Sequence, residues 1–187
     1  MNRFLFSTID VSRQVFYRTP LTFAIVNLKP IVPGHVLVIP TRVVNRLTDL
    51  NPSELAELMS SVQHVGRTIE RAYGADALTI ACQDGKAAGQ TVPHVHFHLL
   101  PRKLRGDRFA GRNDEVYPEL ERAEAKLPQD LLKNAQKDGD LAEDVEPIKV
   151  DADDDRKPRS FDDMEKEAIW LKAFFTDIDR EAKQNSS

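Results

Sequence analysis

The sequence predicts an α+β domain in which an antiparallel sheet of about five strands packs with one long helix and a C-terminal helix. Five short runs of β-branched and aromatic residues predict the strands. Two segments with apolar residues three and four positions apart predict the helices. With 187 residues, of which 41% are hydrophobic, the chain is long enough and apolar enough for one domain with a buried core.

The predicted strands are short and are separated by turn residues. Prolines and a glycine at residues 30–34 mark one reversal of the chain. Asp84-Gly85 marks another, so the last two strands form a hairpin-like pair across a longer loop. The five strands are predicted over Val15–Arg18, Phe23–Asn27, Val36–Pro40, Ala77–Gln83 and Val92–Leu100.

Both predicted helices have clear start signals. Asn51 is a good N-cap residue, Pro52 suits the first helical turn, and Gly74 ends an amphipathic segment of about twenty residues. At the C-terminus, Ser160 and Asp163 form a capping-box pattern ahead of a second amphipathic helix.

The charge pattern divides the chain into three parts. Residues 1–125 are predicted to form the main domain, 126–159 an acidic, disordered insert, and 160–187 a C-terminal helix that packs on the domain. Between Asp138 and Asp155 there are nine acidic residues and one basic residue, a net charge of −8. Because the whole chain carries −4, the remainder carries +4, which suits small anionic ligands better than a long nucleic acid.

The composition excludes several classes of protein. No segment approaches the roughly 20 consecutive apolar residues of a membrane-spanning helix. Asp10 comes too early for a signal-peptide apolar region. Cys82 is the only cysteine, so an intrachain disulfide and a cysteine-rich zinc site are excluded. We expect an intracellular, reducing location, in the cytoplasm and also in the nucleus.

The segment His94-Val-His96-Phe-His98 contains the candidate catalytic residues. In a strand, alternate side chains share a face, so the three imidazoles are predicted to project to one side, about 6.6 Å apart along the backbone. Three interpretations follow: surface histidines without a role, a metal site with His35 as a further ligand, or phosphoryl chemistry by an imidazole nucleophile.

The residues before the triplet favour phosphoryl chemistry. Gly89 allows the backbone to approach a ligand closely, and successive amide protons there can bind an anion. Gln90 and Thr91 add neutral donors that suit a phosphate chain and are poor metal ligands.

The segment from His94 to Leu100 resembles the signature of the histidine-triad nucleotide hydrolases and transferases, and residues 27–40 resemble its upstream half. The resemblance runs from residue 1 to about 122 and resumes in the last helix. Transferase branches carry glutamine where His98 stands. The chain is most similar to the fragile-histidine-triad branch, the dinucleoside triphosphate hydrolases, at Gln83-Asp-Gly85, Gly89-Gln-Thr-Val92, Leu100-Pro-Arg102, and Arg112-Asn-Asp114 ahead of Tyr117.

The resemblance implies a role for each matched residue. His96 would be the nucleophile, while His94 and His98 would bind phosphate oxygens and assist the leaving group. His35 would belong to a hydrogen-bonded histidine cluster behind them. The substrate-binding set would be Asn27 at the ribose, Ile25 and Leu37 around the base, and Gln83, Gly89, Gln90, Thr91 and Val92, with His98, at the phosphates.

The resemblance also implies an activity and an assembly. The expected reaction is cleavage of diadenosine triphosphate to AMP and ADP through a covalent nucleotidyl-histidine intermediate. A divalent ion, magnesium or manganese, would arrive with the substrate phosphates, and no dedicated metal site is implied. Family members are homodimers with the sheet extended between subunits. Two alternatives remain open: an adenosine phosphoramidase of the same superfamily, and a nucleotide-binding signalling module with slow hydrolysis.

Overall fold

The structure is a computed structural model, which describes residues 3–123, residue 125 and residues 159–184, with side chains to residue 175. The predicted α+β fold with a five-stranded antiparallel sheet is confirmed. The strands are β1 (Leu5–Phe6), β2 (Ile9–Asp10), β3 (Val15–Arg18), β4 (Thr22–Val26), β5 (Val36–Pro40), β6 (Ala77–Ala81) and β7 (Phe97–Arg102). The helices are α1 (Pro52–Tyr73), α2 (residues 116–123) and α3 (Phe161–Gln184).

The main sheet has the strand order β3-β4-β5-β7-β6, and every neighbouring pair is antiparallel. Directly opposed residues project to the same side of a sheet. Leu37 opposes both Ile25 and His98, and His98 also opposes Ala81. This row therefore defines one side of the sheet, which we call the histidine face, and we call the other side the helix face.

The helix face is covered by α1 and α3. Gly66 of α1 lies so near β6 that a Cβ atom there would be 2.7 Å from a methyl carbon of Leu78. The hydroxyls of Thr22 and Ser61 hydrogen-bond at 2.6 Å in the same layer. The first turn of α3 is capped as predicted, because the Ser160 hydroxyl accepts the Asp163 N–H at 3.1 Å.

The histidine face is covered by two segments that the sequence did not predict as structure. The β1–β2 hairpin places Phe4 against Phe23, with ring centroids 5.2 Å apart. At the other end of the sheet, a second core lies under α2. It comprises Ile31, Val32, Leu100, Phe109, Val116 and Leu120.

The predicted strand over residues 92–100 is wrong at its start, since β7 begins at Phe97 and extends to Arg102. The His94 N–H donates to the Val92 carbonyl at 2.8 Å, which makes a tight turn centred on Pro93. The Val95 N–H then donates to the Val44 carbonyl at 2.8 Å instead of joining the sheet. His94 and His96 therefore precede the strand, and only His98 lies in it.

The other boundaries differ from the predictions by a few residues. The strands β3 and β5 match, β4 begins one residue earlier and ends one earlier, and β6 ends at Ala81. The acidic insert lies outside the described residues except for Arg159. Among the described helices, none has a stretch long and apolar enough to span a bilayer.

Candidate active site

The His96 ring is oriented by the backbone of its own segment. Its side chain is buried, and Nδ1 lies 2.7 Å from the carbonyl oxygen of His94. A carbonyl oxygen can only accept, so Nδ1 carries the proton of the neutral ring. The lone pair of His96 is therefore on Nε2, which is the nitrogen that can act as a nucleophile.

His98 is held from behind by His35. The Ile31 N–H can only donate, and it lies 3.4 Å from His35 Nδ1. Because Nδ1 accepts, Nε2 of the neutral His35 ring carries the proton and donates it to His98 Nδ1 at 2.9 Å. His98 then keeps its own proton on Nε2. The His96 ring, with a lone pair on Nε2, and the His98 ring, with a proton on Nε2, are neighbours, since their centroids are 5.0 Å apart.

Both ring nitrogens of His94 contact the backbone. Nδ1 accepts the Ser7 N–H at 3.0 Å, and Nε2 donates to the Pro40 carbonyl at 2.9 Å. Burial lowers the pKa of His94 to about 4, so the ring is neutral at pH 7. Both nitrogens of His94 thus contact the β1–β2 turn and the end of β5, and the phosphate contact expected for this residue stays a prediction.

The β1–β2 hairpin also contributes an aromatic wall. Phe6 is fully buried, and its ring packs edge-on against His96 with centroids 5.0 Å apart and an interplanar angle of 82°. Ser7 adopts a positive φ of 56°, which directs its N–H toward His94. The Ser7-Thr8 turn contains no glycine, so the sequence carried no strong hairpin signal here.

The loop before the histidines is anchored at its beginning. Asp84 accepts the Leu47 N–H at 2.8 Å and forms an ion pair with Arg46 at 3.1 Å. The hydrogen bond from Arg46 lowers the pKa of Asp84. Gly85 has a φ of +102°, a backbone conformation that favours glycine, and a Cβ atom there would lie 3.0 Å from the Arg46 guanidinium.

The end of the same loop is held by Gln90. Its side-chain oxygen accepts the Gly85 N–H at 2.9 Å, and its amide nitrogen donates to the Asn45 carbonyl at 3.0 Å. Gln90 therefore braces the loop, and its predicted contact with the phosphates stays a prediction. Gly89 has a φ of +90°, Thr91 is exposed, and Val92 is buried.

Gln83 lies at the entrance of this loop, directly after β6. Its side-chain oxygen is buried and makes no hydrogen bond within the described part of the chain. A buried amide with unused hydrogen-bonding capacity is costly unless a bound molecule or water completes it. The position of Gln83 is consistent with its predicted contact to the substrate.

The residues predicted at the nucleoside are buried in this structure. Asn27 is 4% exposed, accepts the Lys29 N–H at 2.9 Å, and has its amide nitrogen 3.3 Å from His35 Nε2. Ile25 and Leu37 are each 2% exposed and belong to the row of the histidine face. Core packing covers both side chains in this structure, and their contact with a base stays a prediction.

Metal ligands are not clustered at the site. The described residues contain no group of three or more histidine, cysteine, aspartate or glutamate side chains that could hold a metal ion. The fifth histidine, His64, lies on α1 and packs against the rings of Tyr17 and Phe175 at 5.4 and 5.3 Å, on the helix face.

An antiparallel sheet that carries a histidine triplet ahead of and within one strand defines a family of nucleotide-binding proteins, and the family model described as "HIT domain" matches residues 9–104. The chain belongs to this family. It is 51% identical over 177 residues to "Bis(5'-nucleosyl)-tetraphosphatase [asymmetrical]" of Schizosaccharomyces pombe, with 92% of this chain and 94% of that protein covered. It is 44% identical to "Bifunctional bis(5'-adenosyl)-triphosphatase/adenylylsulfatase FHIT" of Arabidopsis thaliana, over 87% of this chain and 78% of that one.

Solved structures show the same fold. The Caenorhabditis elegans NitFhit protein superimposes with a TM-score of 0.63 at 33% identity, covering 92% of this chain and 30% of that chain. The Plasmodium falciparum diadenosine triphosphate hydrolase superimposes with a TM-score of 0.65 at 23% identity, covering 95% and 86% of the two chains. At that identity the second likeness concerns the fold alone.

Proposed function

We propose that this protein hydrolyses diadenosine triphosphate, or a similar dinucleoside polyphosphate, to AMP and the remaining nucleotide. The observation that carries the proposal is the bond from His96 Nδ1 to the His94 carbonyl, which fixes the lone pair on Nε2. The relatives described above and a 38% identical one from Dictyostelium discoideum are named as tri- or tetraphosphatases of dinucleosides.

The reaction is two displacements at the α-phosphorus. The Nε2 lone pair of His96 attacks phosphorus, the bond to the bridging oxygen breaks, and ADP leaves with the electron pair. His98, with its proton on Nε2, supplies a hydrogen-bond donor to the developing negative charge. Water then attacks the nucleotidyl-histidine, releasing AMP and regenerating the imidazole, so the sum is diadenosine triphosphate plus water giving AMP plus ADP. A magnesium or manganese ion bound to the substrate phosphates would offset their charge.

The stereochemistry at phosphorus tests this mechanism. Two inversions give retention of configuration, whereas direct attack by water gives one inversion. The measurement uses a substrate made chiral at the α-phosphorus with sulfur and an oxygen isotope. Retention is expected, and inversion would show that the histidines activate water and that no covalent intermediate forms.

Product analysis with a panel of dinucleoside polyphosphates tests the substrate class. Because the relatives' names include both tri- and tetraphosphatases, the panel varies the number of phosphates. An adenosine phosphoramidate is included for comparison. Faster turnover of the phosphoramidate would support a phosphoramidase instead. A turnover number far below one per second with tight binding would support a binding module.

We also propose that the protein is a homodimer that pairs through β6. This strand is at the edge of the sheet, so its outer backbone groups have no neighbouring strand within the main sheet. Beside it, Ile80 and Met59 are 47% and 44% exposed. Ile80→Lys should shift the mass measured by light scattering from dimer to monomer, whereas the control Leu104→Lys, in a loop where Leu104 is 83% exposed, should not.

A further inference from the structure

Arg159, the residue that follows the undescribed acidic segment, binds the backbone beside the histidine cluster. Its side chain donates from Nε and Nη2 to the Asn27 carbonyl at 3.1 and 2.6 Å. Its own N–H donates to the Leu28 carbonyl at 3.1 Å. Three donors of one residue thus hold the chain where it leaves β4, and two of them come from a charged group, which makes them stronger than neutral hydrogen bonds.

The guanidinium is itself fixed from the opposite side. Glu167 of α3 accepts a hydrogen bond from Arg159 Nη1, and it also accepts the Tyr73 hydroxyl of α1 at 2.5 Å. The side chains of Arg159 and Glu167 are only 23% and 19% exposed, so solvent screens this ion pair less than a surface pair. The position of Arg159 is therefore set by both long helices.

Asn27 connects Arg159 to the histidines. Its backbone N–H donates to the His35 carbonyl at 3.3 Å. Its amide nitrogen also lies 3.3 Å from His35 Nε2, a packing contact without a hydrogen bond because both nitrogens carry hydrogen. His35 Nε2 in turn donates to His98 Nδ1 at 2.9 Å. We propose that Arg159 is a positioning residue that, through Asn27, sets the position and the orientation of the His35–His98 pair. The inference rests on the proposed function for its kinetic test, since His98 is the donor to the leaving group there.

Arg13 provides a matched control. Its guanidinium also binds the first turns of α3, donating to Glu165 at 2.7 Å and to Asp162 at 3.1 Å, and it lies over the Phe161 ring. These partners are all on α3. Arg13→Gln therefore weakens the attachment of α3 without touching the Asn27 carbonyl, whereas Arg159→Gln changes both.

The experiment compares four variants of the full chain for hydrolysis of diadenosine triphosphate, with the unfolding temperature measured for each. Arg159→Gln should lower kcat about tenfold, or about 1.4 kcal/mol of activation free energy, with KM changed less than about threefold. The kcat of Arg159→Lys should fall between the values of this variant and the native chain, because lysine keeps the charge but lacks the planar guanidinium with its paired N–H donors. Glu167→Gln should keep the hydrogen bonds from Arg159 to the Asn27 carbonyl. Its loss of kcat should therefore be smaller than that of Arg159→Gln. Arg13→Gln should keep the native kcat.

Nitrogen NMR of the histidine rings supplies a readout that stability alone does not move. Arg159→Gln should alter the ring-nitrogen shifts of His35 and His98, and Arg13→Gln should leave them unchanged. Equal kcat and equal ring shifts in Arg159→Gln and Arg13→Gln would overturn the proposal, as would losses of kcat that only follow the unfolding temperature. If the native chain hydrolyses no dinucleoside polyphosphate, the proposed function fails. The ring-nitrogen shifts alone then test whether Arg159 positions the His35–His98 pair.

Discussion

The two faces of the main sheet use their buried polar groups differently. On the helix face, the Thr22 and Ser61 hydroxyls bind each other at 2.6 Å under α1, beside the apolar side chains of the main core. On the histidine face, His94, His96 and His98 are each 1% exposed or less. Two of these rings have a nitrogen placed on a backbone group, and the third is placed on His35.

The two faces differ in whether their polar contacts fix the position of a proton. A hydroxyl pair satisfies itself and needs no defined proton position, because each oxygen can donate or accept. An imidazole bound to a backbone carbonyl or amide has its proton fixed on one nitrogen. The backbone contacts on the histidine face therefore decide which nitrogen holds a lone pair, whereas the hydroxyl pair on the helix face fixes no proton.

The largest expected effect is a difference in kcat between alanine variants of two histidines, one on each face. His96→Ala should lower kcat by about 10⁴-fold or more, because the attacking atom is lost, while substrate affinity should change far less. His64→Ala, on the helix face against Tyr17 and Phe175, should keep the native kcat and lose only stability. Steady-state kinetics and equilibrium binding of substrate measure the two quantities. Near-native turnover by His96→Ala would mean that another atom attacks.

A smaller effect concerns stability at low pH. The pKa of His94 is about 4 in the folded protein, against an ordinary value of 6.5, so the unfolded chain takes up a proton first. The stability that the neutral His94 ring contributes to the folded protein is complete above pH 6.5 and is lost as the pH falls to 4. The loss from this group should reach about 3 kcal/mol. Denaturant titrations of the native chain and of His94→Gln should show a shallower pH dependence in the variant, and parallel curves would contradict this.

The smallest effect is expected from the acidic segment. The residues named on both faces lie outside residues 126–158, and the prediction that this segment is an insert still stands untested. Replacing it with a short glycine-serine linker that retains Arg159 should change kcat/KM by less than about threefold, which is below 1 kcal/mol. A hundredfold loss would show that the segment takes part in the site.

Much of this arrangement could be predicted from periodicity and turn chemistry. Helix α1 begins at Pro52 after the Asn51 cap and ends before Gly74, as its flanking residues indicate. The strands β3 and β5 also match, because each is a compact β-branched or aromatic run. The histidine triplet identified the location of the chemistry, since its spacing is informative in any extended segment.

The rest depends on contacts that are distant in the sequence. The tautomer of His94 depends on Ser7, and the proton on His98 depends on His35, so neither could be derived from the local pattern. Strand β7 begins late because Val95 binds Val44 instead of the sheet. Gln90 braces its own loop because Gly85 and Asn45 are near it in space, and the local sequence pattern does not show that role.

The contact between Arg159 and Asn27 joins residues 132 positions apart along the chain. A contact of that span closes a long loop, and closing it costs chain entropy that is recovered only when the surrounding structure has formed. The sheet is complete in sequence by Arg102, so its strands can pair before the Arg159 contact is available. We therefore expect a chain truncated before residue 159 to reach the sheet topology with the His35–His98 pair less ordered than in the full chain.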